Sequence, residues 1–442
     1  MSAIAAYLHH NGAQVTGSDI YGSVFSDRLA KMGINVDIGH NPSNLRDCDC
    51  LVISSAIDKE NCELKEAKEK GIETILRGNL LAETLRRQNT IAVTGSHGKT
   101  STVSILAWML DCAGKKPTAL AGGIMQNYDS NVTLQNGDWV ITEADESDGS
   151  MQLISPNILL LLNTDDDHID FYGSSSNMID QYCALAKKTS KKIIVNANDT
   201  VLPYIKRSAT KEIITFGKPD TYHIPPQSIK YLPDGTNFTV KKGTETVSEI
   251  NFSIPGNIFL DNFLAGMVTA LELGISVDDI KTAAQSFKGV QRRAQQWGIV
   301  KGIRIIEDYA HHPTEIELML ESVSQWHKGR IIAVFQPHRY SRSKNISKYL
   351  AKSFRKTDYL VLTDIYSAFE PPIDGIDGNY VYLETIKERD KNIVYIPKMS
   401  EIIDHLKDMV KKDDLVIFMG AGSIGTLAKK FKGYLENYDD MQ

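Results

Sequence analysis

The sequence predicts an α/β protein of three successive domains, each with a mostly parallel sheet flanked by helices. Short apolar runs alternate with helical patterns along the chain, which is typical of strand–helix–strand units. In the second and third series the runs are continuously apolar, as expected of parallel strands covered on both faces. Polar residues cluster directly after several runs, where open α/β sheets bind their ligands.

Composition narrows the class of protein further. The chain of 442 residues is 42% hydrophobic and 24% charged, which suits several globular domains. A net charge of −6 with mixed signs argues against a nucleic-acid or membrane partner, and no apolar run approaches the roughly 18 residues of a membrane span. The five cysteines are scattered and odd in number, so we expect buried or idle thiols in a reducing cytoplasm: Cys48, Cys50, Cys62, Cys112 and Cys183. The protein is expected to be a monomer or a homodimer.

The first series, residues 1–88, predicts a Rossmann-like sheet that lacks its first strand. A helix over residues 1–11 comes first, and strands follow at 14–16, 36–38 and 50–53. A nucleotide-binding domain of this kind normally opens with a strand and a glycine-rich loop, and that strand is central in the sheet. Either the chain begins late, or this sheet lacks its middle strand.

The second series, residues 89–296, predicts a domain like those of phosphate-loop ATPases. Its first strand, Ile91–Val93, runs into a glycine-rich turn and then into a helix that begins at Lys99. Glycines let backbone N–H groups turn toward phosphate oxygens, and a helix N-terminus favours anions. The expected nucleotide-binding residues are Gly95, Ser96, His97, Gly98, Lys99, Thr100 and Ser101.

Acidic residues follow the neighbouring strands of this series. Mg²⁺ prefers oxygen ligands, so we expect Thr100 and Glu143 to bind it together. His168 lies among four acids and could hold a second cation or neutralise a phosphoryl group. A solvated acidic loop explains three further residues equally well: Asp145, Glu146 and Asp148. The remaining strands are expected at 118–121, 139–142, 158–162 and 193–195, with a small β insertion over 213–254 and a helix from 259 to 273.

The third series, residues 297–442, predicts a second Rossmann-like domain with strands at 304–306, 331–335, 359–362, 393–396 and 415–418. Arg339 and Arg342, three residues apart, suit a bidentate hold on a carboxylate or phosphate, and Tyr309 and His311 could line the same pocket. A surface charge run is the alternative. The Gly-x-Gly-x-x-Gly that begins at Gly420 lies after the last predicted strand, whereas a dinucleotide-binding loop follows the first, so it favours tight strand–helix packing over dinucleotide binding.

Five segments together carry a resemblance to a known family. They are Gly95-Ser-His-Gly-Lys-Thr100, Glu143-Ala-Asp-Glu-Ser-Asp148, Asp167-His-Ile-Asp170, Asp308-Tyr-Ala-His-His-Pro-Thr-Glu315 and Gln336-Pro-His-Arg-Tyr-Ser-Arg342. With them the chain resembles the Mur ligases over essentially all of its length, and within them the enzymes that join L-alanine to UDP-N-acetylmuramate.

The resemblance implies three domains: UDP-sugar binding over 1–88, ATP binding over 89–296 and amino-acid binding over 297–442. It implies that ATP phosphorylates the muramate carboxylate and that the alanine amine attacks the acyl phosphate. Carried over by motif, Lys99 holds the transferring phosphate, Thr100 and Glu143 bind one Mg²⁺, and His168 binds a second. The remaining residues that it implies are Asn262, Arg293 and Asp308 at ATP, Tyr309, His311, Arg339 and Arg342 at alanine and the muramoyl end, and Ser54 and Ser55 at the UDP diphosphate.

Two departures from the family pattern keep alternatives open. The UDP-binding glycine loop that normally precedes Met-Ser-Ala is absent before Met1, and we expect that an internal methionine has been taken as the start. The family has His-Asn where this chain has Ile258-Phe259, and an aromatic ring could stack on adenine without making the amide hydrogen bonds. The alternatives are a related ligase for another amino acid or peptide, such as murein tripeptide recycling, and a degenerate paralogue that binds nucleotide without ligating.

Overall fold

A computed structural model describes residues 1–146, 149–164, 172, 174–389 and 391–437. Contacts between its residues divide the chain into two compact units. Unit 1 comprises Met1–Ile229, Asn237–Ser253 and Phe259–Lys288, and unit 2 comprises Lys230–Thr236, Ile254–Ile258 and Gly289–Gln442. Among the described residues, no helix is both long enough and apolar enough to cross a membrane.

The first 88 residues form two separate pairs of parallel strands. β1 pairs with β2, and β3 pairs with β4. The first strand was expected over residues 14–16 but spans Thr16–Asp19, because its pairing with Asn35–Ile38 sets its limits. The elements are α1 (Ser2–His10), β1 (Thr16–Asp19), α2 (Val24–Lys31), β2 (Asn35–Ile38), β3 (Cys50–Ile53), α3 (Cys62–Glu69), β4 (Glu73–Leu76) and α4 (Arg77–Leu85).

A large, mostly parallel sheet forms the centre of unit 1. Its elements are β5 (Asn89–Thr94), α5 (Lys99–Cys112), β6 (Thr118–Met125), β7 (Ser130–Thr133), β8 (Trp139–Glu143), β9 (Ile158–Leu161), α6 (Ser175–Lys188), β10 (Lys192–Asn196), α7 (Leu202–Ser208), β11 (Glu212–Phe216), β12 (Tyr222–His223), β14 (Gly235–Lys242), β15 (Glu245–Phe252), α8 (Leu260–Glu272) and α9 (Val277–Ser286). The short strand β13 (Lys230–Leu232) falls in unit 2. The strands follow the order β14-β12-β11-β10-β9-β5-β8-β6-β7, and β15 pairs with β14.

The position of β5 in this sheet decides where the glycine-rich turn lies. β5 is parallel to both of its neighbours, β8 and β9, and Ile91, Ala92 and Val93 are fully buried. Since the carboxyl ends of parallel strands meet at one edge, the turn after β5 lies beside the loops that follow β8 and β9. The predicted phosphate loop and acidic segments therefore share one edge of the sheet.

Unit 2 contains a six-stranded sheet with the order β16-β17-β21-β18-β19-β20. Only β16 is antiparallel to its neighbour among these described strands. The last strand, β21, lies between β17 and β18, so the loops after those three strands share an edge. The elements are β16 (Gln295–Val300), β17 (Ile303–Asp308), α10 (Pro313–Trp326), β18 (Ile331–Phe335), α11 (Tyr340–Ser353), β19 (Tyr359–Leu362), α12 (Gly378–Ile386), β20 (Ile393–Tyr395), α13 (Met399–Met409), β21 (Leu415–Met419) and α14 (Gly425–Asn437).

Candidate active site

The glycine-rich turn after β5 can only be built with glycine at two of its positions. Gly95 has φ +136°, and a Cβ there would lie 2.8 Å from the backbone oxygen of Asn163. Gly98 has φ +83°, and a Cβ there would lie 2.2 Å from the side-chain oxygen of Asn262. Both positions combine a left-handed backbone with a close neighbour, which excludes a side chain. The close approach also places Asn262, an expected ATP contact, against the phosphate loop within unit 1.

Asn163 ties this turn to the end of β9. Its side chain accepts from the N–H of His97 at 2.8 Å and donates to the carbonyl of His97 at 3.1 Å. Its backbone oxygen accepts from the N–H of Ser96 at 3.1 Å. Two of the expected phosphate-binding amides, those of Ser96 and His97, are thus used inside the protein. The turn is held rigidly, and the remaining amides lie at the start of α5.

The N-terminus of α5 fits an anion. The helix begins at Lys99 after Gly98, and no described side chain caps its first turn. The first N–H groups of a helix have no intrahelical acceptors and carry a partial positive charge, so they suit a phosphate. Thr100 is half-buried at this end, and Ser101 is buried.

Lys99 extends from this helix into a buried ion pair. Its ammonium lies 2.9 and 2.8 Å from the two carboxylate oxygens of Glu146 and 2.7 Å from the carbonyl oxygen of Gly95. The Glu146 side chain is 0% exposed, and that of Lys99 is 14% exposed. The sequence left open whether Glu146 is a solvated surface acid or a functional residue. The structure shows that it is not solvated. Burial next to the phosphate-loop lysine decides this.

Thr100 and Glu143 lie together, as expected of two ligands of one cation. The Thr100 side chain lies beside Glu143, and the Glu143 carboxylate accepts from the N–H of Gly122 at 2.5 Å. Burial raises the pKa of Glu143, while the bonds from Gly122 and Thr100 and the charge of Lys99 oppose that rise. A carboxylate that is costly to ionise gains from a cation beside it. The oxygen donors therefore fit Mg²⁺.

Few of the described side chains gather around this pair as further ligands. Over the described parts of the chain, no three His, Cys, Asp or Glu side chains gather as a metal-binding group. A Mg²⁺ ion at Thr100 and Glu143 would accordingly take most of its ligands from water and phosphate, which is its usual mode of binding. The expected ligand of a second cation, His168, lies outside the described residues, as does Asp148.

Three residues that the sequence analysis linked to UDP or adenine binding lie elsewhere in unit 1. Ser54 and Ser55 occupy the turn after β3, where Ser54 is half-buried and Ser55 is exposed. Phe259 precedes α8 and is only 3% exposed. A buried ring offers no free face to an adenine base, so stacking by Phe259 is not supported.

In unit 2, Asp308 organises the backbone at the end of β17. Its two carboxylate oxygens accept from the N–H groups of Ala294 at 2.6 Å and Ala310 at 2.8 Å. Burial raises the pKa of Asp308 from 3.8 to about 6, although the nearby charge of Arg293 and these two bonds oppose that rise. Asp308 thus fixes the segment that carries Arg293.

Arg292 and Arg293 both stack on Tyr309 but have different partners. Each guanidinium carbon lies 4.9 Å from the ring centroid of Tyr309. Arg292 also donates to the carbonyl oxygens of Gly420 and Gly422, at 2.7 and 2.8 Å, and pairs with the buried Glu307 at 3.0 Å. A Cβ at Gly425 would lie 1.9 Å from Glu307. The glycine-rich segment after β21 therefore packs tightly against β17 and Arg292, as predicted from the sequence.

These partners predict opposite outcomes for the two arginines. Arg292→Met leaves Glu307 buried without its guanidinium, so we expect the free energy of unfolding to fall by about 3 kcal/mol. Arg293→Met is expected to change unfolding by less than about 1 kcal/mol while lowering turnover at least tenfold. Urea unfolding and phosphate release measured on both variants test this. Equal losses of stability would contradict the division of roles.

His311, Arg339 and Arg342 belong to one cluster in unit 2. The ring of His311 lies 5.7 Å from that of His338, which stacks on Tyr366 at 5.7 Å. Burial, His311, Arg342 and Arg339 together lower the pKa of His338 to about 4. Burial is also the main cause that lowers the pKa of His311, and Arg342 adds to it. His311 also lies 3.3 Å from a carboxylate oxygen of Glu315, whose charge opposes the fall of its pKa. The two arginines of this cluster suit an anionic carboxylate.

The backbone at Arg339 helps to present this cluster. Arg339 has φ +66°, and its N–H donates to the carbonyl oxygen of Tyr366 at 2.8 Å. Such a backbone is uncommon for a residue with a side chain and is often found at functional sites. His338 and Tyr366 were missed as site residues, although His338 lies between Pro337 and Arg339 in a segment already singled out.

Family models match three successive parts of the chain. The Mur ligase family, catalytic domain, matches residues 1–89, and the Mur ligase middle domain matches residues 93–270. The Mur ligase, glutamate ligase domain, matches residues 292–422. The three matches account for most of the sequence.

Individual relatives agree with these models. The UDP-N-acetylmuramate–L-alanine ligase of Desulforamulus reducens is 36% identical over 441 residues, covering 99% of this chain and 96% of the relative. That of Persephonella marina is 37% identical over 443 residues, covering 99% and 95%. The crystal structure of UDP-N-acetylmuramate-alanine ligase MurC from Thermotoga maritima superposes with a TM-score of 0.87 at 26% identity, covering 100% of this chain and 97% of that one. Since models and relatives agree over nearly the whole sequence, the chain belongs to the Mur ligase family.

Proposed function

We propose that this protein is an ATP-dependent ligase that joins L-alanine to the carboxylate of UDP-N-acetylmuramate. The observation that carries the proposal is the phosphate loop, in which Lys99 pairs with the buried Glu146 and the next residue, Thr100, lies beside Glu143. A lysine, a helix N-terminus and an oxygen-lined cation site are what transfer of a nucleotide phosphoryl group needs. The substrates are taken from the relatives, which carry the name of this ligase at more than a third identity.

The proposed reaction has two steps. A carboxylate oxygen of UDP-N-acetylmuramate attacks the γ-phosphorus of ATP, the bond to the β-phosphate oxygen breaks, and ADP leaves. The neutral amine of L-alanine then attacks the carbonyl carbon of the acyl phosphate, the carbon–oxygen bond to phosphate breaks, and the amine loses its extra proton. Both steps depend on positioning and charge neutralisation more than on covalent catalysis.

The described residues supply these effects in two groups. In unit 1, Lys99 and the first amides of α5 bind the phosphates, and Asn262 is a contact of ATP beside Gly98. Thr100 and Glu143 would hold Mg²⁺, which would supply positive charge to the phosphate oxygens. In unit 2, Arg293 contacts ATP from a segment fixed by Asp308. Tyr309, His311, Arg339 and Arg342 receive alanine and the muramoyl carboxylate, and in unit 1 Ser54 and Ser55 contact the UDP diphosphate.

This assignment extends to the domains and to the setting of the reaction. We assign UDP-sugar binding to residues 1–88, ATP binding to 89–296 and amino-acid binding to 297–442. The product is a peptidoglycan precursor made from a nucleotide-linked sugar, so we place the reaction in the cytoplasm and link it to cell-wall synthesis, cell shape and division. No nucleic-acid partner is part of the proposal.

Phosphate release tests the proposed function directly. We expect release that requires ATP, UDP-N-acetylmuramate and L-alanine together, and transfer of a heavy-oxygen label from the muramate carboxylate into the released phosphate. A panel of other amino acids and of peptides separates this ligase from relatives with a different acceptor. Release without the sugar, or tight ATP binding with no turnover under any combination, would overturn the proposal.

The metal site predicts a specific defect for Glu143→Gln. The substitution removes the negative charge of one of the few protein ligands, so the affinity for Mg²⁺ falls. We therefore expect the Mg²⁺ concentration for half-maximal phosphate release to rise at least tenfold. Titration of MgCl₂ against turnover measures this, and a chelator is expected to abolish turnover in both proteins. An unchanged Mg²⁺ requirement would remove Glu143 from the metal site.

A further inference from the structure

The contacts of the Lys99 ammonium account for all three of its N–H donors. Two point to the carboxylate oxygens of Glu146 and one to the carbonyl oxygen of Gly95, at distances between 2.7 and 2.9 Å. The carbonyl oxygen of Ser96 lies farther from the ammonium, at 3.5 Å. These partners differ in what their loss would cost. Gly95 offers a neutral carbonyl at the mouth of the phosphate loop, whereas Glu146 is a carboxylate that is 0% exposed.

The main chain of Glu146 is itself held by hydrogen bonds from neighbouring residues. Its carbonyl oxygen accepts from the hydroxyl of Tyr172 and from the N–H of Gly149. Two residues earlier, the N–H of Ala144 donates to the carbonyl of Val93 at 2.9 Å, and the Thr94 hydroxyl donates to the carbonyl of Ala144 at 2.8 Å. The backbone that carries the Glu146 carboxylate is thus tied to the end of β5, the strand that leads into the phosphate loop.

We propose that Glu146 is a positioning residue that holds the Lys99 ammonium during catalysis, and that a nucleotide phosphate replaces the Gly95 carbonyl while Glu146 stays in place. The proposal rests on the function proposed above and adds a residue that acts through Lys99. Separating Lys99 from Glu146 would leave a fully buried charge without its partner, which is far more costly than exchanging one neutral acceptor for an anionic one. Glu146 therefore orients the lysine, and one donor remains for phosphate.

The test compares Glu146→Gln with Glu146→Asp. The glutamine keeps the shape but loses the charge and turns an amide toward the ammonium, so we expect kcat to fall about 100-fold. The KM values for L-alanine and UDP-N-acetylmuramate are expected to stay within about threefold, because neither contacts Glu146 in the proposed reaction. Aspartate keeps the charge and is expected to retain at least ten times the kcat of the glutamine variant.

A binding experiment distinguishes this proposal from failure of the proposed function. Calorimetry with ADP is carried out on the wild type, Glu146→Gln, Lys99→Met and the double variant, and needs no ligase activity. If Glu146 acts through Lys99, the glutamine substitution changes ADP affinity in the wild-type background and has no further effect in the Lys99→Met background. An equal effect of Glu146→Gln on ADP affinity in both backgrounds would overturn the proposal, and so would an unchanged kcat in Glu146→Gln. A rise in kcat would overturn it too, because it would mean that Glu146 restrains the lysine.

Glu272→Gln provides the matched control. Glu272 forms an ion pair with Lys192 in the same unit, away from the residues assigned to the reaction. Its loss is expected to change stability slightly and to leave both kcat and ADP affinity within about twofold of the wild type. A fall in kcat equal to that of Glu146→Gln would mean that any lost ion pair slows the enzyme, and would overturn the assignment.

Discussion

Replacing Lys99 with methionine is expected to lower kcat for phosphate release by about 1000-fold, because the phosphate loop loses the cation that meets the transferring phosphate. The same substitution is expected to lower the free energy of unfolding by about 3 kcal/mol. The second effect has a different cause: Glu146 stays fully buried but loses its ammonium partner. Steady-state phosphate release and urea unfolding measure the two losses separately.

A second substitution separates stability from catalysis at this position. In Lys99→Met combined with Glu146→Gln, the buried carboxylate that lost its ammonium is removed as well, so most of the lost stability is expected to return. Activity is not expected to return, since the lysine is still missing. A double variant as unstable as Lys99→Met would show that the ion pair is not the source of the loss.

The second large effect is expected at Asp308, in unit 2. Both of its oxygens accept backbone N–H groups, so asparagine must turn its amide N–H₂ toward one of these donors. One buried N–H is left unsatisfied, at a cost of about 1–3 kcal/mol, and the segment with Arg293 shifts. We expect kcat/KM for ATP to fall about 100-fold in Asp308→Asn.

The raised pKa of Asp308 adds a pH dependence with a definite sign. Its folded-state pKa, about 6, lies above the ordinary 3.8, so the folded protein binds this proton more tightly than the unfolded chain. The contribution to stability is therefore fully present below pH 3.8 and is lost as the pH rises through 6. The unfolding free energy of the wild type relative to Asp308→Asn is expected to fall by up to about 3 kcal/mol between pH 4 and pH 6.

The effect of Asp308 on catalytic activity is expected to change with pH in the opposite direction to its effect on stability. Only the ionised carboxylate accepts both N–H groups, so we expect kcat/KM of the wild type to fall below about pH 6. In Asp308→Asn this acidic limb is expected to disappear. An identical pH profile in both proteins would show that Asp308 does not control the site.

Asp414→Asn is the matched control for Asp308→Asn. Asp414 is 3% exposed, precedes β21 and pairs with Arg330, so it lies at the edge of the sheet opposite Asp308. Its replacement is expected to lower stability but to leave kcat/KM per folded molecule within about threefold. A selective loss of kcat/KM in this control would mean that damage anywhere in the sheet disturbs the site.

Much of the fold and part of the site could be predicted because they depend on local pattern. Strands such as Ile331–Phe335 and Tyr359–Leu362 were predicted at their observed limits, since continuous apolar runs bounded by polar loops indicate buried parallel strands. Thr100 and Glu143 could be paired because Thr100 lies shortly after β5 and Glu143 ends the adjacent parallel strand β8. The domain limits and the roles assigned to the site residues stay predictions.

What the sequence alone determined was the order of strands and helices, the glycine turn that ends at Lys99, and the family, because these are written in residue type and spacing. Only the tertiary structure decided that Glu146 is buried against Lys99 and that Phe259 faces the interior. It also decided that Arg292, and not its neighbour Arg293, donates to the carbonyl oxygens of Gly420 and Gly422. The physical reason is that burial and charge pairing join residues far apart in the chain, and an acidic loop has the same composition whether it meets water or a lysine.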